Sequence, residues 1–370
     1  MAPLAIPRDL LRQAQAVAGD FTDHTRVAVD AAELLTGRAA LLGIAPKGQV
    51  SAGGATRLLA TGDGWCALTL SRADDIAAIP ALLQVDSLGD DPWPAVGDWA
   101  AGRSAAEIAE RSRLLGLPVA VLGETEPAPP AVNPRWPTRT GSLTGALVAD
   151  LSSMWAGPLC GQLLARAGAT VVKVESSSRP DGTRAGAPEF FDWMNGGKLS
   201  YAVDFDDPRD LAALLQVADV VIEASRPAAL ARRDLGPDAV AARPGRIWLR
   251  ITGHGTEGEK ADWVAFGDDA AVSGGLVGYR QGAPVFSGDA IADPLTGLHA
   301  ATAVADSRNR GGGELIEFSM AAVAAGYRCS DEADIDVGPV RPPAGLPGRE
   351  LGADNDAVRR LVAERIDAPC

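Results

Sequence analysis

Apolar residues in the second half of the chain fall into short runs separated by segments with helical spacing. The short runs predict strands at residues 147–151, 171–174, 200–204, 220–223, 247–251 and 315–318. The segments between them predict helices at residues 208–217, 237–242 and 295–306. Strands that alternate with helices form an open, largely parallel sheet with helices on both faces. We therefore predict an α/β fold built on an open, mostly parallel Rossmann-like sheet.

The first 130 residues follow a different pattern. The helical stretches predicted here are residues 7–43, 72–83 and 103–115, and the β-like runs are 56–61, 65–70 and 118–122. Gly62-Asp63-Gly64 separates the first two runs as a turn. We predict a smaller α+β domain over 1–130, a linker over 131–145, the sheet domain over 146–330, and a Pro/Gly-rich tail with a C-terminal helix over 331–370.

Residues 146–175 show the order strand, tight turn, helix, strand in a single segment. Ala156-Gly157-Pro158 allows the sharp turn, and the helix predicted to begin at Gly157 and Pro158 ends before Gly168. The free amides at such a helix start can bind an anion, which predicts a phosphate-bearing ligand. The segment lacks the GxGxxG spacing that a dinucleotide favours.

Size and charge narrow the classes of function. A chain of 370 residues exceeds the usual size of one hydrophobic core and predicts two domains. A formal net charge of −14 argues against nucleic acid or an anionic membrane as the main partner. An anionic ligand therefore requires locally concentrated arginines, and the candidates that follow predicted strand ends are Arg179, Arg184, Arg226, Arg232 and Arg233. Each of them could instead be a solvated surface arginine.

Cysteine and histidine usage points to neither a disulfide framework nor a metal site. The four cysteines are scattered without a CxxC pair, and the chain has three histidines. No charged start followed by an apolar run opens the chain, and no apolar run approaches the roughly 18 residues of a membrane span. These features predict a cytoplasmic protein.

Several segments of the second half form an ordered set. They are residues 149–175, Arg184 after Pro180-Asp181-Gly182, Asn195-Gly196-Gly197-Lys198, 218–223 with Arg226-Pro227, 250–255, 290–300 and 308–319. In this order they resemble the class III CoA-transferase family, which includes formyl-CoA and carnitine CoA-transferases and α-methylacyl-CoA racemase. Residues 51–54, the strands around Trp65 and residues 103–119 resemble the family's small domain, but here they precede the sheet. The chain thus resembles a member with permuted domain order.

The resemblance implies an enzyme that moves CoA between carboxylic acids, with acyl-CoA and a carboxylic acid as substrates, no permanently bound cofactor, and a homodimeric assembly. It implies that Asp293 is the nucleophile, which as an exposed aspartate is expected to be ionised at pH 7. Gly53 and Gly54 are predicted to fold over the site and offer backbone N–H groups to an oxyanion. The residues predicted to contact CoA are Trp155, Ala156, Arg184, Lys198, Arg226, Arg232 and Arg233.

Other interpretations of the same residues stay open. Asp293 precedes Pro294, so from the residues alone it fits the N-cap of a helix. Trp155 could cover the core, and the Gly53-Gly54 pair could lead into a hairpin.

The function has alternatives too. The racemase branch uses a histidine in a Gly-His-Asp context, whereas this chain has Gly267-Asp268-Asp269, and a carboxylate is a poor base unless burial raises its pKa. We therefore prefer CoA transfer over epimerisation and over a CoA-binding relative without activity. His24, His254 and His299 are interpreted as structural.

Overall fold

Two helices and a small sheet lead into a larger sheet in the computed structural model, which describes residues 4–328 and 334–367. The first elements are β1 (Leu4–Pro7), α1 (Arg8–Thr25), α2 (Ala31–Leu42), β2 (Thr56–Ala60), β3 (Trp65–Thr69), α3 (Ala73–Ala77), α4 (Ile79–Leu83), α5 (Trp93–Ala101), α6 (Ala105–Leu114) and β4 (Val119–Val121).

The remaining elements alternate as the sequence predicts. They are β5 (Ala131–Pro134), β6 (Leu147–Asp150), α7 (Ala156–Arg166), β7 (Thr170–Ser176), α8 (Pro188–Asn195), β8 (Leu199–Val203), α9 (Arg209–Val217), β9 (Val220–Glu223), α10 (Ala228–Ala231), β10 (Ile247–Thr252), α11 (Gly267–Ser273), β11 (Val277–Arg280), β12 (Ala283–Phe286), α12 (Ala292–Arg310), β13 (Glu314–Ser319), α13 (Met320–Ala325), β14 (Asp334–Val337) and α14 (Asn355–Asp367).

The large sheet has seven strands in the order β5-β13-β10-β9-β6-β7-β8. All neighbours pair in parallel except β5, which lies antiparallel at one edge. This confirms the predicted α/β fold with an open, mostly parallel sheet. From β6 the chain runs to β7 and β8 on one side and to β9, β10 and β13 on the other, so the order reverses between β6 and β9. A crevice at the carboxyl ends of strands forms where the order reverses, and ligands bind there in such folds.

Both faces of the large sheet are buried. Side chains of consecutive strand residues point to opposite faces, so Val148 joins one hydrophobic cluster while Leu147 and Ala149 join the other. The first cluster includes residues of α7 and α12, and the second includes residues of α9 and α14. Near-continuous apolar strands are what a sheet covered on both faces requires.

The helices α1 and α2 belong to the first of these clusters, and α1 packs against α12 while α2 packs against α8. The antiparallel sheet β2-β3-β4 has its own core with α3 to α6, and its other face packs on residues of α11, β11 and β12. Elements from the first 121 residues therefore contact those that follow β10. The predicted division into domains stays a prediction.

Two local predictions need correction, and part of the predicted linker forms a strand. Residues 237–242 form turns and no helix, because only a few residues separate Gly236 from Pro244 and one turn gains too few hydrogen bonds. Residues 72–83 form two short helices, α3 and α4, with Pro80 in the first turn of the second. The predicted linker at 131–145 supplies β5 to the large sheet.

Among the helices of the described residues, none combines the length and apolar character that crossing a membrane would demand.

Candidate active site

A cavity of about 250 Å³ lies beside Asp293 and is lined by residues from both halves of the chain. Arg38, Gly53 and Thr69 contribute from the first half, and Asp268 and Asp293 contribute from the second. One chain therefore brings Gly53 and Asp293 to the same cavity. Gly54 lies next to it in a turn with φ of +79°, and its N–H donates to the Ser51 carbonyl at 2.9 Å. This turn leads into β2. The same glycine pair therefore lies at the cavity and immediately before the hairpin formed by β2 and β3.

Asp293 lies in the first turn of α12 and lines this cavity. The N-cap residue of α12 is Ile291, and no side chain caps the helix, so the interpretation of Asp293 as an N-cap is wrong. The N–H of Ala156, at the start of α7, interacts with the Asp293 carboxyl group. Helix N-termini favour negative charge, and the N-terminus of α7 faces the Asp293 carboxyl group of the same chain.

Burial raises the pKa of Asp293 from an ordinary value of 3.8 to about 7. The Arg38 guanidinium opposes this rise, and the negative charge of Asp268 adds to it. The expectation that Asp293 is fully ionised at pH 7 is therefore wrong, since a carboxyl group enclosed by protein loses the hydration that stabilises its charge. Near neutral pH, both protonation states of Asp293 are populated.

Two more carboxyl groups lie at the start of α11, next to Asp293. Asp268 accepts hydrogen bonds from the N–H of Ala290 at 3.0 Å and from the Ser51 hydroxyl. Burial and the nearby Asp289 raise the pKa of Asp268 to about 6. The Ala290 backbone has a φ of +41°, which is unusual for a residue with a side chain, so Asp268 holds a strained turn just before α12.

Asp269 connects the small sheet to α11. Its Oδ1 accepts from the Thr69 hydroxyl at 2.8 Å and from the N–H of Phe266 at 3.1 Å. Thr69 Oγ1 also lies 2.9 Å from Thr56 Oγ1 on the neighbouring strand. Burial raises the pKa of Asp269 to about 8, so this side chain is mainly protonated at neutral pH.

Arg38 supplies positive charge to this group of aspartates. Its Nη1 donates to Oδ1 of the fully buried Asp289 at 2.5 Å. The guanidinium carbon lies 5.5 Å from the ring centroids of both Trp155 and Phe190, a cation–π arrangement that fixes its orientation. Sequence reasoning missed Arg38 and Asp289. The available signal was a single arginine within the otherwise mostly apolar helix α2.

The turn between β6 and α7 is held by buried charges. Met154 has a φ of +73°, and its N–H lies 3.2 Å from each carboxylate oxygen of Asp181. Lys173 pairs with Asp181 at 2.7 Å, and both side chains are buried. Trp155, the N-cap residue of α7, is 3% exposed and packs edge-on against Phe190 with a centroid distance of 5.3 Å. The helix therefore starts at Ala156, one residue earlier than the sequence predicts.

A second, larger cavity of about 830 Å³ lies at the carboxyl ends of β6 to β9, where the strand order reverses. Arg179 and Arg233 line it, and Arg233 also donates to the Phe205 carbonyl at 3.0 Å. Ser71, Met154 and Phe266 line both cavities. The two spaces therefore adjoin and together reach from the arginines to Asp293.

The other predicted CoA contacts lie elsewhere or are engaged by the protein. Arg226 and Arg232 are exposed in the segment after β9. Arg184 pairs with the buried Glu175 at 2.6 Å and stacks on Phe191. Lys198 is 1% exposed, and its ammonium group donates to Asp150 at 2.8 Å. These contacts are structural, and a role of these four residues toward a ligand stays a prediction.

His254 is buried, and His299 is half-buried. His299 Nε2 lies 2.7 Å from the Tyr327 hydroxyl, and His254 packs edge-on against Trp263. Burial lowers the pKa of each to about 4, so both are neutral at pH 7. Neither lines the cavity at Asp293, as far as residues 4–328 and 334–367 define it.

Replacing Gly267 with alanine should disrupt the site. A Cβ at this position would overlap Asp293 Oδ2 and the Ala290 carbonyl, so the start of α12 must shift. We expect a destabilisation of about 1–3 kcal/mol and displacement of the Asp293 carboxyl group. Urea denaturation and a crystal structure of the variant measure these two effects.

Gly19→Ala is the matched control for Gly267→Ala. Gly19 lies inside α1, and nothing stands within 4 Å of its added Cβ. Alanine should there stabilise the protein by about 0.5–1 kcal/mol. Equal stability of Gly267→Ala and Gly19→Ala would contradict the overlap.

Comparison with known proteins extends these observations. Residues 143–334 match the model of CoA-transferase family III. The succinate–glutarate CoA-transferase of Agrobacterium fabrum is 34% identical over 190 residues, which cover 45% of this chain and 47% of that protein. A formyl-CoA:oxalate CoA-transferase of Rhodopseudomonas palustris is 32% identical over 199 residues, 49% of this chain and 47% of its own. A solved CAIB/BAIF family protein from Brucella suis gives a TM-score of 0.46 at 29% identity, covering 51% of this chain and 55% of its own.

The chain spans about half the length of the curated relatives it matches. The matched segment contains Asp268, Asp289 and Asp293, whereas Arg38 and Gly53 precede it. The family match covers more than half of the chain and includes the whole parallel part of the large sheet. This chain belongs to CoA-transferase family III.

Proposed function

We propose that this protein transfers CoA from an acyl-CoA thioester to a carboxylic acid, with Asp293 as the nucleophile. The observation that carries the proposal is that Asp293 lines a cavity that adjoins a second, larger cavity lined by arginines. The relatives named above are called transferases of CoA between acids, which supports the same reaction class.

The larger cavity suits the nucleotide end of CoA. Arg179 and Arg233 provide positive charge for phosphates in an otherwise acidic protein. The pantetheine arm would pass Met154 and Phe266 and bring the thioester toward Asp293. Apolar lining by Trp155, Phe190 and Leu42 provides a dry environment for the acyl group.

The chemistry proceeds in two balanced half-reactions. A carboxylate oxygen of Asp293 attacks the thioester carbonyl, and the C–S bond breaks to release CoA thiolate and leave a mixed anhydride. The thiolate attacks the Asp293 carbonyl carbon, and the donor acid leaves as a carboxylate. The acceptor carboxylate then attacks this aspartyl-CoA thioester and releases thiolate, forming a second anhydride. Attack of the thiolate on the acceptor acyl carbon yields the new thioester and restores the Asp293 carboxylate.

Gly53 lines the cavity at Asp293 and is proposed to give its backbone N–H group to the oxyanions of these steps. Gly54 would join it only after its N–H leaves the Ser51 carbonyl. Removal of one oxyanion donor costs about 10²-fold to 10³-fold in rate in other enzymes. Residues before the family match would then complete the site within one chain.

Trapping of the intermediate tests the proposed function. The protein is incubated with succinyl-CoA and glutarate, followed by hydroxylamine or borohydride, and the peptide containing Asp293 is analysed by mass spectrometry. A hydroxamate or alcohol at Asp293 supports CoA transfer. Turnover without modification of Asp293, across a panel of acyl-CoA donors, would reject Asp293 as the nucleophile.

Epimerisation at the α-carbon of a methylacyl-CoA is the second candidate. The observation that favours it is Asp268, which lines the same cavity as Asp293. Burial and the nearby Asp289 raise the pKa of Asp268 to about 6. Such a carboxylate is a better base than an ordinary aspartate. Incorporation of deuterium at the α-carbon in D₂O, with no Asp293 adduct, would favour epimerisation. CoA binding with neither outcome would favour the inactive relative.

The rate of adduct formation should rise with pH and level off above about 7, because Asp293 reacts only as the carboxylate and its pKa is raised to about 7. Asp268→Asn should move the midpoint to lower pH, since the Asp268 charge raises the pKa of Asp293. Single-turnover rates across pH measure both midpoints. Asp306→Asn, at an exposed position of the same helix, is the control and should leave the profile unchanged. A midpoint near 4 in the wild type would contradict the effect of burial.

A homodimer and a cytoplasmic location are further proposals, which rest on the family resemblance and on cysteine usage. Analytical ultracentrifugation of the purified chain tests the dimer.

A further inference from the structure

The cavity at Asp293 is rich in carboxyl groups and poor in cations. Asp268 and Asp293 line it, and Asp289 lies fully buried behind Arg38. Among the lining residues that the structure describes, Arg38 is the only one with a positive charge. A carboxylate ligand in this space would be repelled by the aspartates unless it contacted Arg38.

The proposed reaction requires such a ligand twice. The donor acid leaves as a carboxylate and the acceptor acid enters as one, each at the Asp293 carbonyl carbon. Both therefore pass through a position where Asp268 disfavours added negative charge. This requirement, which rests on the proposed function, implies that a positively charged side chain lies within reach of Asp293.

We propose that Arg38 forms a carboxylate-binding subsite for the acid that enters or leaves the site. One edge of its guanidinium is used by Asp289, which binds Nη1. On the other side, Nη2 faces Gly53, and a Cβ on that glycine would lie 3.4 Å from it. Arginine binds carboxylates through two parallel N–H donors, and the edge toward Gly53 opens on the cavity.

The guanidinium is already oriented for this role. Trp155 and Phe190 hold its plane, with both ring centroids 5.5 Å from the guanidinium carbon. The Arg38 side chain is 22% exposed, whereas the Asp289 side chain is fully buried. The guanidinium therefore keeps an accessible edge. Pre-organised donors lose less entropy on binding, which favours recognition of a small acid.

The experiment compares Asp289→Asn with Arg38→Met/Asp289→Asn at a pH above the midpoint of the wild-type profile. The double variant removes both charges, so Asp289 is not left as a buried carboxylate without its partner. We expect its KM for glutarate to rise about 10-fold to 100-fold, while hydroxylamine still traps the succinyl-CoA adduct at Asp293. Asp289→Asn should lower the KM, because the guanidinium then has no competing carboxylate. Arg103→Met, which removes an exposed arginine stacked on Trp99, is the control and should change neither value.

Two results would overturn the subsite. One is a KM for glutarate that is unchanged in both variants. The other is a shifted pH midpoint of adduct formation with an unchanged KM, which would mean that Arg38 acts on Asp293 alone. If the proposed function is wrong, the wild-type protein itself forms no adduct, and this result differs from both results that would overturn the subsite. Calorimetric titration with sodium glutarate then still tests the subsite, since binding should weaken at least 10-fold in the double variant.

Discussion

Asp293→Asn should abolish formation of the acyl and CoA adducts and reduce turnover by a factor on the order of 10⁴ or more. The amide has nearly the shape of the carboxyl group, but it cannot attack a thioester. Steady-state CoA transfer from succinyl-CoA to glutarate, together with hydroxylamine trapping, measures the loss. Asp306→Asn, exposed on the same helix, should keep full activity.

The same variant should be at least as stable as the wild type above pH 7. Burial raises the pKa of Asp293 in the folded state from 3.8 to about 7, so the folded protein holds a proton that the unfolded chain releases. The stability from this group is therefore present at low pH and is lost as pH rises through about 7. An asparagine has no such charge to bury. A fall in the free energy of unfolding at pH 8 would show that Asp293 has a structural role instead.

Lys198→Met should destabilise the protein by about 3–5 kcal/mol. Lys198 and Asp150 are both buried, and the lysine ammonium donates to Asp150, to the Pro158 carbonyl at 2.8 Å and to Asn195 at 3.0 Å. Burial alone would raise the pKa of Asp150. The positive charges of Lys198 and Lys173 instead hold that pKa below its ordinary value. Without Lys198, a buried carboxylate loses its closest positive charge. Urea denaturation at neutral pH measures the change.

Asp150→Asn in the Lys198→Met background provides the internal control. This double variant removes both members of the pair and should recover part of the lost free energy, because no uncompensated charge remains. Lys260→Met, at an exposed position, should change stability by less than about 0.5 kcal/mol. A loss of similar size in Lys198→Met and Lys260→Met would contradict the structural role of the buried pair.

The α/β fold could be predicted because its elements carry local signals. Strands β8, β9, β10 and β13 lie within one residue of their predicted limits, since continuous apolar runs between turns identify strands buried on both faces. Helices α8 and α11 went unpredicted. Each is shorter than nine residues, and so few turns show little periodicity.

Only part of the candidate site could be predicted from the sequence. Asp293 and Gly53 came from resemblance, and the structure brings both to one cavity. Arg38 and Asp289 are 251 positions apart, and nothing in their local patterns indicates that they pair. The raised pKa of Asp293 also depends on enclosure by segments distant in the chain. Predicted contacts of Lys198 and Arg184 with CoA followed from motif position, whereas the folded chain engages both in ion pairs.

By itself, the sequence determined the parallel sheet and the turn before α7, because residue spacing and backbone geometry act over a few neighbouring residues. Asp293 was found through the resemblance of its segment to a known family. Only the tertiary structure decided which charges meet, how far Asp293 is desolvated, and that residues before the family match line its cavity. These properties arise from contacts between segments far apart in the chain, and both electrostatic energy and burial depend on distance in space.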